Sequence, residues 1–179
     1  LKSILSALKG VTFSPAEIKA VNAQETGDFT ITTIDGLKNK TKGIINNKTV
    51  NPTYKGLGQH GTGARDEGIK WAKEKGIIIP SDPDPRFTPQ TAIYLTAAYF
   101  GYLVEKQLLK RLPKPIPSGV ELKKLVFASY NWTHNKVILK VNDLGNKGKP
   151  YTWDDIKNVS PAETRIYIER ITLRLTLKG

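Results

Sequence analysis

Among the acidic residues of this sequence, Glu25 has the setting that best suits proton transfer. Ser14-Pro15-Ala16-Glu17 has the form of a capping box: Ser14 can accept from the Glu17 N–H, Glu17 can reach back, and Pro15 suits the first helical position. A helix started there runs to about Glu25, with Gly27 available to end it. Ile18, Val21 and Glu25 then stand at i, i+3 and i+7 on a single face. The carboxyl therefore falls on the apolar stripe and in the last turn. Burial disfavours its ionised form, and the negative end of the helix dipole disfavours it further. Both act toward a carboxyl that stays protonated near neutral pH, the requirement for a general acid. The competing reading is a frayed helix end that turns Glu25 into solvent, since charged residues are seldom fully buried.

Four segments in order give this carboxyl a context. They are Gln24-Glu25-Thr26-Gly27, Gly56-Leu57-Gly58-Gln59, Ala128-Ser129-Tyr130-Asn131, and Pro161-Ala162-Glu163-Thr164-Arg165-Ile166-Tyr167. Each is weakly specific alone. Together they resemble the catalytic Glu-Ser step, the Gly-Leu-Met-Gln turn, the Ala-Ala-Tyr-Asn segment and the terminal Pro-x-Glu-Thr-Arg-x-Tyr of the soluble lytic transglycosylases, relatives of the goose-type lysozymes. The resemblance covers nearly the whole chain. It has departures: Thr26 stands for Ser, Gly58 for Met, and Trp132-Thr133-His134 where Gly-Pro-Gly commonly follows Tyr-Asn. Glu25 and Gly56 lie 31 positions apart, about twice the family's usual separation.

The resemblance implies a mostly α, lysozyme-like helical domain that cleaves the bond between N-acetylmuramic acid and N-acetylglucosamine in peptidoglycan. Glycoside cleavage usually employs two carboxylates. A lytic transglycosylase needs one, because the substrate supplies the second group. Glu25 would protonate the bridging oxygen while the muramic acetamido oxygen stabilises the cation at C1. Glu25 would then take the C6 hydroxyl proton as that oxygen closes a 1,6-anhydro ring, with water kept out. No metal or organic cofactor is implied. Thr26, Gln59, Tyr130, Asn131 and Tyr167 would contact substrate, while Glu163 and Arg165 would pair locally. The plain structural readings are a turn residue for Gln59, a core aromatic for Tyr130 beside Leu122 and Val126, and packing for Tyr167. Asp28, Asp66 and Glu67 are candidates for a second acid, but Asp66 and Glu67 read as dipole partners in a first helical turn. His60 could approach the cleft, His134 reads as solvated, and neither has the context of a triad.

Capping, glycine and proline signals mark out the helices that carry these groups. Helices are expected over about 62–75, ended by Gly76, and from Thr88-Pro89 onward, where Ala92, Leu95, Tyr99, Leu103 and Val104 recur at helical spacing. Ser118-Gly119-Val120-Glu121 and Ser160-Pro161-Ala162-Glu163 offer two further capping boxes. The prolines at 113, 115 and 117 demand an extended connector over 112–118. Residues 28–55 are expected to form an inserted basic tongue, a small β-hairpin or irregular, rich in Thr, Ile and Lys. Ile171, Leu173, Leu175 and Leu177 alternate with period two, which suggests a terminal strand. The whole is read as one domain over 1–179.

Composition sets the outer bounds. With 28 Lys plus Arg against 16 Asp plus Glu, the net charge is +12, which favours polyanions. The basic residues are dispersed and no nucleic-acid motif is present, so the expected counter-surface is anionic cell wall. No Cys means no disulfide framework or thiol nucleophile, and the apolar runs are too short to span a bilayer. The chain starts at Leu1 and lacks Met, so it reads as part of a longer parent chain, such as a virion or secretion-machine protein acting in the periplasm or outside the cell. The alternatives are a hydrolytic lysozyme and a non-catalytic wall-binding piece of such a machine.

Overall fold

A computed structural model of the protein describes residues 1–26, 58–81, 84–145 and 148–176. The fold is mostly α, as the sequence leads one to expect, and no strand ladder occurs among the described residues. The basic tongue, with Asp28, Gly56 and Leu57, lies outside the described residues, as does Leu177. Two compact units are formed, one by residues 1–7 with 14–99 and the other by 8–13 with 100–179.

The first unit contains α1 (Lys2–Ala7), α2 (Pro15–Thr26), α3 (Thr62–Glu74), a 3-10 turn (Pro85–Phe87) and α4 (Pro89–Tyr102) as far as Tyr99. The capping box of α2 forms as read. The Ser14 N–H donates to Glu17 Oε2 at 2.7 Å, and the Glu17 N–H donates to Ser14 Oγ at 3.2 Å. α3 stops where Gly76 takes φ +71°, with Ile77 N donating to Ala72 O and Gly76 N to Lys73 O. That pair of bonds is a Schellman cap. α3 and α4 approach closely at Gly68, where an added Cβ would lie 3.0 Å from Leu95 Cδ1 and 3.3 Å from Tyr99 N. Ala92, Leu95, Thr96, Ala97 and Ala98 of α4 are all fully buried, so this helix is enclosed nearly all round.

The second unit continues from Phe100 through a π-helical segment (Leu103–Leu108) and a last turn (Leu109–Arg111). An extended connector with three prolines leads to α5 (Gly119–Ala128), a second π-helical segment (Ser129–Thr133), α6 (His134–Asp143), α7 (Trp153–Lys157) and α8 (Ala162–Thr176). Its core gathers Phe13, Phe100 and Phe127, with ring centroids 4.9 Å and 5.9 Å from Phe13. Burying each such ring is worth about 1.5–3 kcal/mol.

Several local expectations are corrected here. Leu173 and Leu175 continue α8, because Thr164, Tyr167, Ile168 and Ile171 form a buried helical stripe that overrides the period-two alternation. Ser118 is the N-cap residue of α5 but makes no side-chain cap; Glu121 instead accepts from Trp153 N at 3.0 Å and binds Lys124 at 2.6 Å. The Ser160 hydroxyl donates to Lys157 O at 2.6 Å, and α8 begins at Ala162. A capping box that the sequence reading passed over joins Thr152 and Asp155 at the start of α7. Asp66 and Glu67 fall beyond the first turn of α3, because that helix begins at Thr62.

Candidate active site

Glu25 occupies the last turn of α2, half-buried, and Thr26 is the final residue of that helix. Ile18, Val21 and Asn22 on the preceding turns are wholly excluded from solvent. Glu25 thus follows, one turn on, a stretch of α2 that is closed to solvent. Asn22, one turn before Glu25, donates from Nδ2 to Ile18 O at 2.8 Å. This leaves its Oδ1 to accept from Thr96 Oγ1 of α4 at 3.0 Å.

Gln59 sits in a tight turn with φ +48°, half-buried, and leads directly into His60, which is 2% exposed. His60 Nε2 lies 3.0 Å from the same Thr96 Oγ1. Its ring meets Tyr99 edge-on, with centroids 6.0 Å apart. An added Cβ at Gly58 would fall 2.5 Å from His60 Nε2 and 2.7 Å from Thr96 Oγ1. Glycine at this position is therefore demanded by the buried imidazole and hydroxyl beside it. Burial, with the positive charge of Arg86 adding to it, pushes the His60 pKa down to about 3, so the imidazole is neutral.

Arg86 is itself buried, and its Nε lies 3.0 Å from both oxygens of Asp84, with a further ion pair from its Nη2. Burial alone would raise the Asp84 pKa, but the hydrogen bonds and charge of Arg86, with the charge of Arg65, outweigh it and hold the carboxyl below its usual value. Asp66 pairs with Arg65 at 2.7 Å and is exposed, which describes a surface ion pair. A groove of about 420 Å³ beside α3 has Arg65, Lys70 and Lys73 on its walls and contains none of the motif residues.

In the second unit, Tyr130 and Asn131 stand on the second π-helical segment. Tyr130 is half-buried and meets Phe100 edge-on, with centroids 5.5 Å apart. Asn131 Oδ1 accepts from Thr164 Oγ1 of α8 at 2.8 Å. Tyr167, one turn further along α8, is 4% exposed. Arg165 donates to Ser160 O at 2.6 Å and to Lys157 O at 3.2 Å, so it binds the last carbonyl of α7 and one in the turn that follows, while Glu163 is exposed. The segment closes on Thr133 at φ +86° and ψ 137°, backbone that glycine adopts without strain and a β-branched residue does not. His134 is half-buried against the edge of Tyr102 rather than solvated.

The structure thus ties the Glu25 helix to the Gln59 turn through Thr96, and the Asn131 segment to the Tyr167 helix through Thr164. Sequence reasoning passed over Asn22 and Thr96. Their signal is a polar residue on an otherwise closed helical face, Asn22 beside Val21 and Thr96 within the run Leu95-Thr96-Ala97-Ala98. Among the described residues no group of three or more potential metal ligands converges, and no helix is long and apolar enough to cross a membrane. Comparison with protein-family models, with curated proteins and with solved structures found no match for this chain.

Proposed function

We propose that the chain is a peptidoglycan lytic transglycosylase, with Glu25 acting first as acid and then as base. The glycan strand of the cell wall is the substrate, and the 1,6-anhydromuramic end is the product. The observation that carries this reading is the hydrogen bond between Asn131 and Thr164. It joins two motif segments 33 positions apart, which the sequence offers only as separate resemblances. The positive φ at Thr133 supports it further, because this residue falls in the stretch where the family that the chain resembles commonly carries Gly-Pro-Gly.

In this reading Glu25, on a half-closed face at the negative end of α2, delivers its proton to the bridging oxygen and recovers one from the C6 hydroxyl. Gln59 offers an amide donor and acceptor to an acetamido or hydroxyl group. Thr26, Tyr130, Asn131 and Tyr167 take the substrate-binding roles that the resemblance assigns. The +12 charge favours an acidic wall through its carboxylates and phosphates. Placement in a virion or secretion assembly that acts on the wall follows from the same resemblance.

Digestion of purified sacculi tests the reading. Wild-type protein is expected to release anhydro-muropeptides, and Glu25→Gln to lose on the order of 10²–10⁴ in rate, the usual worth of general acid–base catalysis. Full activity in the variant would remove the mechanism.

A further inference from the structure

We infer that Thr96, with Asn22 and His60, forms a neutral positioning clamp that sets the Glu25 carboxyl and the Gln59 amide relative to each other. The inference rests on the proposed function for its catalytic consequence, though not for its structural content.

The hydrogen-bond directions can be derived. Asn22 Nδ2 is committed to Ile18 O, which turns Oδ1 toward Thr96. Reversing the amide would set its oxygen against a carbonyl oxygen, so this orientation is fixed. Thr96 has one hydroxyl proton, and its acceptors on this side are Asn22 Oδ1 at 3.0 Å and Ala92 O at 3.1 Å. If that proton went to His60 instead, two acceptor oxygens would face each other 3.0 Å apart with no hydrogen between them. His60 Nε2 must therefore carry the hydrogen and donate to Thr96 Oγ1. One hydroxyl is thus acceptor for the turn and donor for the helix.

The leverage follows from chain distance. Gln59 is bonded directly to His60, so the anchored ring fixes the left-handed turn from which the amide projects. Asn22 is one helical turn before Glu25 on α2. All three clamp residues are fully or almost fully buried, so nothing in solvent competes for these bonds. Ring neutrality, which burial enforces, keeps the donor pattern unchanged through the pH range in which an acidic wall is attacked.

The test pairs a spectroscopic and a kinetic arm. In wild-type protein, 15N chemical shifts of the His60 imidazole are expected to report hydrogen on Nε2 and a bare Nδ1 near pH 7. Thr96→Val keeps the volume and removes the hydroxyl, while Thr96→Ser keeps the hydroxyl. In the valine variant the His60 Nε2–H signature and the backbone amide signals of Gln59 and Glu25 should shift. Its kcat on a soluble glycan should fall at least tenfold with KM changed less than threefold. The serine variant should restore both readouts to within about twofold of wild type. An Nδ1–H tautomer in wild type would overturn the clamp. So would a folded valine variant with wild-type kcat and unmoved Gln59 and Glu25 signals. If the valine variant fails to fold, the wild-type tautomer and the serine variant still decide. If wild-type protein cleaves no glycan, the functional reading fails by itself, and the spectroscopic arm judges the clamp alone.

Discussion

Gln59 and Thr133 are the two non-glycine residues at positive φ among the described residues, and each is followed at once by one of the chain's 2 histidines. The two places are held by different means. At Gln59, φ +48° lies in the ordinary left-handed region, and the next residue anchors a buried imidazole by a hydrogen bond to Thr96. At Thr133, φ +86° with ψ 137° lies outside that region, and the segment before it is fixed by Tyr130 against Phe100 and by Asn131 bonded to Thr164. The first turn is cheap in backbone energy but depends on a neutral, fully enclosed ring. The second is strained, and it is held by a ring contact and a side-chain hydrogen bond between uncharged groups. His134, half-buried at the edge of Tyr102, has its pKa lowered by burial and then by Arg111, but it keeps a path to solvent. A polar anchor therefore couples backbone shape to protonation, whereas an aromatic one couples it to packing.

Acid gives the largest contrast. The folded pKa of His60, about 3, is depressed below its ordinary 6.5, so the unfolded chain binds the extra proton between those values. Stability from the neutral ring is present in full above pH 6.5 and is lost as pH falls toward 3. The loss should reach on the order of a few kcal/mol. Urea unfolding at pH 7 and pH 4 is expected to show a steeper drop for wild type than for His60→Gln. Equal drops would place the acid sensitivity elsewhere.

Next in size is Gly58→Ala. A methyl group 2.5 Å from His60 Nε2 cannot be accommodated without shifting the ring or Thr96. Overpacking of this kind costs about 1–3 kcal/mol. The variant's urea midpoint should fall accordingly, and an unchanged midpoint would mean that the turn yields freely. The smallest effect belongs to the other turn, with opposite sign. Thr133→Gly relieves strain of about 1–3 kcal/mol and gives back roughly 0.5–1 kcal/mol in unfolded-chain entropy. Thermal unfolding should therefore show a net gain of about 1 kcal/mol. A loss would show that the Thr133 side chain makes contacts worth more than its backbone strain.

The helices were the legible part, because their signals are local. The Ser14–Glu17 box, the Gly76 stop and the Pro89 start each depend on residues within one turn. Signals failed where a distant partner intervened. Glu121 leaves its own helix start to receive Trp153 N, 32 positions away, and the buried stripe of α8 overrides the alternating leucines. The site divided in the same way. The Glu25 turn could be placed from spacing on a single helix, whereas the bond between Asn22 and Thr96 spans 74 positions and leaves only two unexplained polar residues in the sequence. The residue type at Thr133 gave no hint of its positive φ, since threonine is not the residue that such a backbone conformation calls for.

We propose that Glu25 drives an intramolecular closure on the sugar, and the origin of the oxygen on the product separates this from attack by water. Sacculi digested in water enriched in 18O, with muropeptides then analysed by mass spectrometry, should yield muramic ends one water lighter than hydrolysed ends and free of 18O. Glu25→Gln should yield none of them. Muramic ends carrying 18O would show that water attacks C1, and the same anhydro products from Glu25→Gln would show that another group does the work.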